Sequence, residues 1–593
     1  MTTSAAPPAD LLRSTVRTSD GVDLAVVEQG PPGAPALVLV HGYPDDHTVW
    51  DGVAAILAER FRVVRYDVRG CGGSSAPSGR AGYAMERLAA DLLTVVDAVS
   101  PDVPVHLAAH DWGSIQSWEA VTDPAHQRRF ASFTSISGPS LDMAGAWFRD
   151  SARHPGASLR QLLDSYYIAL FQLPALPELA VRAGVIDRLV TRSAHLGLPW
   201  KRGRGVDRRP IRDATSGLEL YRANFVARMT RPRPRRTDVP VQVLAPTLDA
   251  HVTPALALGA PRPYVARLAA RTVVGNHWVV RSHPAVVAAK IVELVDDLDG
   301  ATAASASRSL RWSDAPAPRP GALGGRLALV TGGASGIGRA TSVELARRGA
   351  DIVVTDVDDT GAKETVALVE EVGGRAWAHH LDVTDAEAWD ALAATVVAEH
   401  GVPDIVVNNA GIGMGGPFLA TTVADWERVI GVNLWGVIHG SRVFGRLLAE
   451  RGEGGNIVNV ASAAAFAPSR IMNAYGTTKA AVLSLTESLR AELSFAGVGV
   501  TAVCPGFVDT KISSTTRFVG TSDEEQARLS AHQQASYRRR NYTPERLARH
   551  LVDALVADKP VAAISAEARF FQLGHRYAPA LTRRLARLDL NEL

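Results

Sequence analysis

Apolar residues in this chain gather in short β-branched runs. They are ALVLV (36–40), RVVRYD (62–67), VHLAA (105–109) and VQVLA (241–245), then LALV (327–330), DIVVTD (351–356), DIVVN (404–408), NIVNV (456–460) and VGVTAV (498–503). Longer stretches of helical text separate them. Near-continuous apolar strands alternating with helices predict parallel sheets covered on both faces, hence an α/β chain. The rhythm breaks twice. From about 138 to 236 the text is Leu-, Tyr- and Arg-rich and helical, including SLRQLLDSYYIALFQLPALPELAV (158–181), which predicts a lid over the first sheet. From 299 to 321 small residues and proline dominate without periodicity, which predicts a linker between domains at 12–298 and 322–593.

A chain of 593 residues exceeds what one core spans, in keeping with two domains. The 63 basic and 61 acidic side chains nearly cancel, so no global field draws in nucleic acid. Cys71 and Cys504 cannot build a disulfide framework, and the polar start MTTSAAPPADLLRSTVRTSD lacks the apolar core of a secretion signal. No apolar run reaches the ~18–20 residues of a membrane span. A cytoplasmic protein is expected, with no metal centre. The basic runs at 201–212 and 231–236 read as solvated faces, and the tail from Glu567 as an amphipathic helix packed on its domain or on a partner subunit.

In the first half, VHLAA runs into His110-Asp111-Trp112-Gly113-Ser114, with Ala109 and Gly113 flanking Asp111. This is the spacing of a strand–turn–helix elbow, whose small neighbours permit a sharp turn that presents the central side chain. Asp249 follows VQVLA and His277 follows RTVV, in the chain order nucleophile, acid, histidine. His41-Gly42-Tyr43-Pro44 follows another strand, where the backbone N–H groups of Tyr43 and Trp112 would form an oxyanion hole. A histidine base, with its usual pKa of ~6.5, suits neutral pH.

With HGYP (41–44), the run Asp67 to Ser74 and HDWG (110–113), residues 12–298 resemble the aspartate-nucleophile branch of the α/β-hydrolase family. Ala109 stands where that branch usually has glycine. The resemblance implies an ester on Asp111, hydrolysed by water that His277 activates while Asp249 orients it. Tyr167, four residues before Phe171-Gln172, and Tyr221 in LYRAN match the two lid tyrosines of epoxide hydrolases, which protonate the departing alkoxide. A haloalkane dehalogenase, with Trp112 binding halide, and a non-catalytic module presenting substrate are the alternatives.

In the second half, LALV leads into Thr331-Gly332-Gly333-Ala334-Ser335-Gly336-Ile337-Gly338 and then a helix. Glycines there let the backbone approach a pyrophosphate at a helix N-terminus. Tyr475 and Lys479 lie one helical turn apart, so the ammonium can favour the phenolate. With Asn408-Asn409-Ala410-Gly411, Asn433, Ser462 and Pro505-Gly506, residues 322–593 resemble the short-chain dehydrogenase/reductase family, which implies a Rossmann-type doubly wound sheet. The resemblance implies that Tyr475 exchanges the substrate proton, Ser462 holds the substrate oxygen, Lys479 also binds the nicotinamide ribose and Asn433 anchors a water relay. Asp356, closing DIVVTD, would accept from the adenosine ribose and repel a 2′-phosphate, so NAD is expected over NADP. Asp382-Val383 resembles the adenine-pocket pair. Gly332, Ser335, Gly336, Ile337, Gly338, Asn409, Ala410, Gly411, Pro505 and Gly506 complete the expected cofactor site.

The order of the halves resembles bifunctional epoxide hydrolase–dehydrogenase fusions of actinobacteria. It implies small-molecule epoxide and alcohol or carbonyl substrates, acted on in sequence, and a homo-oligomer through the dehydrogenase domain.

Overall fold

The computed structural model describes residues 11–197, 209–300, 310–314, 319–510 and 512–585. The basic residues 201–208, parts of the expected linker (301–309, 315–318) and the end of the tail lie outside them. The described residues form two units that divide at the linker, and Leu310–Asp314 belongs to the first.

The first unit holds an eight-stranded sheet of β1 (Leu12–Arg17), β2 (Asp23–Gln29), β3 (Ala36–Val40), β4 (Arg62–Tyr66), β5 (Val105–His110), β6 (Phe130–Ile136), β7 (Val241–Leu248) and β8 (Leu268–Asn276), in the order β1-β2-β4-β3-β5-β6-β7-β8. All pairs are parallel except β1–β2 and β2–β4. The central strands are largely apolar because both faces are covered. In β3, Val38 and Val40 enter one core while Leu37 and Leu39 enter the other, beside Trp50, Phe61 and Trp278. Strand β1, LRSTVR, is almost wholly exposed and depends on its pairing with β2, so hydrophobic pattern does not reveal it. Helices Leu141–Arg149, Pro155–Asp164, Tyr166–Phe171, Leu176–Arg182, Val185–Ala194 and Ile211–Thr230 stand between β6 and β7, across the stretch read as a lid. Within the expected linker, Trp312 is fastened to this unit. It bridges Ala269 on β8, donates its indole N–H to Asp297 at 2.8 Å and carries the Arg267 guanidinium over its ring.

The second unit holds β9 (Leu327–Thr331), β10 (Asp351–Asp356), β11 (Ala376–His380), β12 (Ile405–Asn408), β13 (Met414–Gly415), β14 (Gly455–Val460), β15 (Val498–Pro505), β16 (Arg517–Phe518) and β17 (Val561–Ile564). Seven form a parallel sheet, β11-β10-β9-β12-β14-β15-β17, and β13 pairs with β16 apart from it. Strand order reverses between β9 and β12, the switch point where doubly wound sheets bind ligands. Strand β9 divides its side chains as β3 does: Ala328 and Val330 to one core, Leu327 and Leu329 to the other. The tail forms helices Ala566–Tyr577 and Pro579–Leu585. Among the described residues no helix is long and apolar enough to cross a membrane.

Candidate active sites

Strand β5 ends at His110, and the chain turns through Asp111 at φ 52°, ψ −126° before the helix Trp112–Val121. Few non-glycine residues occupy this region, and the turn holds the carboxylate above the strand ends. Its neighbour must be small: a Cβ on Gly42 would lie 2.3 Å from Asp111 Oδ1. That oxygen instead accepts the Tyr43 amide at 2.7 Å. The other oxygen, Oδ2, lies 3.4 Å from His277 Nε2. On the far side of the ring, Nδ1 lies 3.0 Å from each Asp249 oxygen, and Asp249 Oδ1 also accepts the amides of His251 and Val252 at 2.8 and 2.9 Å. The ends of β3, β5, β7 and β8 thus bring Tyr43, Asp111, Asp249 and His277 together from segments up to 234 residues apart.

All three charged groups are buried. Burial alone would strip the His277 proton, but the charge of Asp249 and the hydrogen bonds and charge of Asp111 overcome it and push the imidazole up to about 10. The expectation of an ordinary histidine pKa therefore fails in the resting site, because two carboxylates flank one ring. Asp249 is correspondingly held down at about 2 against its own burial.

Tyr167 and Tyr221 come from different lid helices and meet over this cluster, their ring centroids 6.3 Å apart. The Trp112 indole packs edge-on against the Tyr221 ring, centroids 4.8 Å apart. Burial and then neighbouring charge, Asp111 included, raise both phenols above their ordinary range, which keeps them protonated as O–H donors. Tyr166, the neighbouring phenol, is 62% exposed and points away.

His251 escaped the motif reading. Its ring packs 4.8 Å from His277 and 5.3 Å from Tyr167, and burial followed by the His277 charge lowers it to about 4, so it is neutral. Lid residue Gln161 bolts this loop: Nε2 donates to the His251 carbonyl at 2.7 Å, and Oε1 accepts the Thr253 amide at 2.7 Å. The Asp67–Ser74 motif is scaffolding: Asp67 accepts the amides of His47 and Gly73, and the buried Arg69 guanidinium forks onto Asp91. Of the basic residues flanking the lid, Arg209 pairs with Asp45, Arg212 with Asp213 and Arg235 with Glu119.

In the second unit a cavity of about 820 Å³ opens at the carboxyl ends of the strands. Gly332, Ser335, Gly336, Ile337, Asp356, Asp382, Val383, Asn409, Ala410, Gly411, Ser462, Tyr475, Lys479, Pro505 and Gly506 all border it. Gly338 lies behind the turn, where a Cβ would come within 2.1 Å of the Gly332 carbonyl, so the helix can start there only with glycine. The Asn409 amide group ties the same turn down, donating to the carbonyls of Thr331 and Gly332 at 2.9 and 3.2 Å. Asp356 Oδ2 accepts the Ala334 amide at 2.9 Å and Oδ1 the Asp358 amide at 3.0 Å, which fixes the carboxylate at the rim. This cradle of close-packed backbone, helix start and rim carboxylate fits a dinucleotide.

Lys479 Nζ donates to the Val460 carbonyl at 2.9 Å and lies 5.8 Å from the centre of the Tyr475 ring. Burial lowers it to about 8. Asn433 sits in a π-helical turn, Gly431–Trp435, and grips Ile412 twice, Oδ1 accepting its amide at 2.8 Å and Nδ2 donating to its carbonyl at 3.0 Å. It does not border the cavity. The cavity wall includes residues no motif named: Phe507, and from the tail helices Phe570, Phe571 and Thr582.

Comparison with known proteins agrees with this division. The family model for the short chain dehydrogenase matches residues 326–518 and that for the alpha/beta hydrolase fold matches residues 35–216. The "Probable oxidoreductase EphD" of Mycobacterium tuberculosis (strain H37Rv) is 41% identical over 594 residues, covering 98% of this chain and 99% of its own length. The "L-2,3-butanediol dehydrogenase" of Corynebacterium glutamicum is 40% identical over 187 residues, 31% of this chain and 72% of that protein. A crystal structure of a short chain dehydrogenase/reductase from Burkholderia phymatum in complex with NAD is 30% identical, covers 44% of this chain and 95% of that one, and has a TM-score of 0.41. Similarity over the full length of both units establishes that the chain belongs to the EphD family, in which an alpha/beta hydrolase domain is fused to a short-chain dehydrogenase/reductase domain.

Proposed function

We propose that the chain is a bifunctional enzyme that hydrolyses an epoxide to a vicinal diol in its first unit and oxidises a secondary alcohol with NAD in its second. The observation that carries the first half is the convergence of two protonated phenols on Asp111. Because Oδ1 is held by the Tyr43 amide, Oδ2 is the attacking oxygen. It bonds to a ring carbon as the ring C–O bond breaks, and the departing oxygen takes a proton from Tyr167 or Tyr221. The proton is restored from the His277 imidazolium. Esterification removes the charge of Asp111 and leaves His277 with Asp249 alone, so its affinity for a proton falls and it becomes the base for the next step. Water gives its proton to His277 and attacks the ester carbonyl, whose oxygen, the former Oδ1, develops charge against the amides of Tyr43 and Trp112. Collapse breaks the ester C–O bond, the leaving alkoxide takes the proton of the new carboxyl group to give the diol, and the Asp111 carboxylate is regenerated beside the His277 imidazolium.

In the second unit the residues around the glycine turn and Asp356 would hold NAD, which supplies the hydride acceptor. Tyr475 takes the hydroxyl proton, Ser462 hydrogen-bonds the substrate oxygen and Lys479 favours the phenolate. One relative over this half is named for a vicinal diol, the product class of the first unit. The phenyl rings of Phe570 and Phe571 favour an apolar substrate. The test is to give the whole chain an epoxide in ¹⁸O-labelled water, with and without NAD. Label should enter Asp111 over repeated turnovers, and NADH should appear only after diol. Label confined to the diol in the first turnover overturns the ester, and diol accumulating unoxidised across a broad panel overturns the sequence of steps.

A further inference from the structure

Outside both catalytic centres, two imidazoles and a carboxylate meet at the edge of the second sheet. His379 lies on β11, the edge strand, while Glu399 and His400 end the helix Ala386–His400. One ligand atom from each, the two ring nitrogens and a carboxylate oxygen, fall within 4.8 Å of one another. This is the one such His, Cys or carboxylate group found among the described residues. We propose that these three residues bind a zinc-class divalent transition-metal ion.

Geometry and surroundings both point to a cation. For bonds of ~2.0–2.1 Å, donor atoms of a tetrahedral site stand roughly 3.3–3.4 Å apart. His400 Nε2 and Glu399 Oε2 already lie 3.3 Å apart, so only His379 has to close, by at most about 1.5 Å of side-chain rotation from the 4.8 Å limit. His379 Nε2 is buried and makes no hydrogen bond, an orphaned lone pair or N–H of the kind that costs free energy unless a ligand takes it. The cluster also sits at the carboxyl end of its helix, which closes at Gly401, where the backbone dipoles favour positive charge. The Trp377 indole stacks on His400 with centroids 4.0 Å apart and would hold that ring in place. Glu399 is half-exposed, which leaves a way in for the ion and room for a water as fourth ligand. Two imidazoles with one carboxylate suit zinc, and cobalt(II) as its spectroscopic stand-in, better than calcium or magnesium. Such an ion would tie the edge strand to its neighbouring helix a few residues before Asp382 and Val383 at the cofactor cavity.

The full chain, stripped with chelator, is titrated with zinc by calorimetry and with cobalt(II) by visible absorption. Wild type should bind one equivalent that His379→Ala and His400→Ala each weaken by more than the ~10–100-fold that outer-shell partners are worth. Cobalt should give the intense visible bands of a tetrahedral site in wild type and lose them in both variants. His379→Gln, which keeps shape and polarity, should lose the ion equally, so a folding defect in the alanine variants cannot mimic the result. The chain carries other histidines, so zinc bound with unchanged stoichiometry and affinity in all three variants would assign it elsewhere and overturn the proposal, as would the absence of any binding by wild type.

Discussion

The two catalytic centres solve opposite problems. In the first unit Asp111, Asp249, His277 and Tyr221 are each at most 7% exposed, and the proton positions are set by charges packed around one imidazole. In the second, Ser462 and Tyr475 face an open cavity of about 820 Å³, and the architecture is a shaped floor of backbone. A buried charge cluster must tune acidity, because a small substrate brings little binding surface of its own. A dinucleotide brings a large surface, so its site consists mainly of close approach and a few rim contacts. The shifts follow that division: His277, Asp249, His251, Tyr167 and Tyr221 all move in the first centre, and at the second Lys479 moves through burial.

The sharpest way to break the comparison is to disable each centre separately. Asp111→Asn should lower epoxide hydrolysis by on the order of 10⁴-fold or more, since no neighbour can replace the nucleophile. Oxidation of an added diol by the same sample should be unchanged. Tyr475→Phe should do the reverse. Diol formation and NADH absorbance measured on both proteins decide it, and loss of both activities in either variant would mean that the centres are not independent.

A smaller effect separates charge tuning from mere enclosure. Tyr167→Phe with Tyr221→Phe keeps the aromatic packing against Tyr43 and Phe171 and removes only the hydroxyls. Epoxide opening should fall ~10²–10⁴-fold. Release of halide from a haloalkane by the double variant, with epoxide opening unaffected, would transfer the reading to a dehalogenase.

Smaller again is the effect at the cofactor rim. Asp356→Ala should cut the preference for NAD over NADP by about tenfold, ~1.4 kcal/mol. Dissociation constants for both cofactors measure it. Equal affinities in the unmodified protein would show that Asp356 does not face the ribose.

These centres were legible from sequence to different depths for a physical reason. Residues on strand ends and tight turns, such as Asp111, Asp249, Asp356 and Gly332, sit where local backbone geometry restricts residue type, and they leave motifs. Gln161 and His251 meet through a hydrogen bond between segments 90 residues apart, and Phe570 and Phe571 reach their cavity only because the tail folds back over it. Such contacts leave no spacing to read. Strand β11, AWAHH, lacks an aliphatic run, so neither it nor the His379 cluster it carries could be anticipated.

The last prediction turns the charge cluster into a stability measurement. His277 is raised in the folded chain to about 10, from ~6.5 when unfolded, so its contribution is complete below pH ~6.5 and is lost as pH rises through about 10. Asp249 is depressed to about 2, from ~3.8, so its contribution holds above that unfolded value and is lost as pH falls through about 2. The first unit should therefore weaken steadily between pH 6.5 and 10. In calorimetric scans NAD should raise the transition of the second unit by mass action, and the transition it leaves unmoved reports the first. His277→Asn should lower that transition at pH 7, because Asp249 and Asp111 lose the cation between them, and should flatten its decline toward pH 10. The dehydrogenase transition should ignore the substitution. An alkaline slope in His277→Asn as steep as in wild type would show that other groups carry it, and that the imidazole is not held between two charged carboxylates in the resting site.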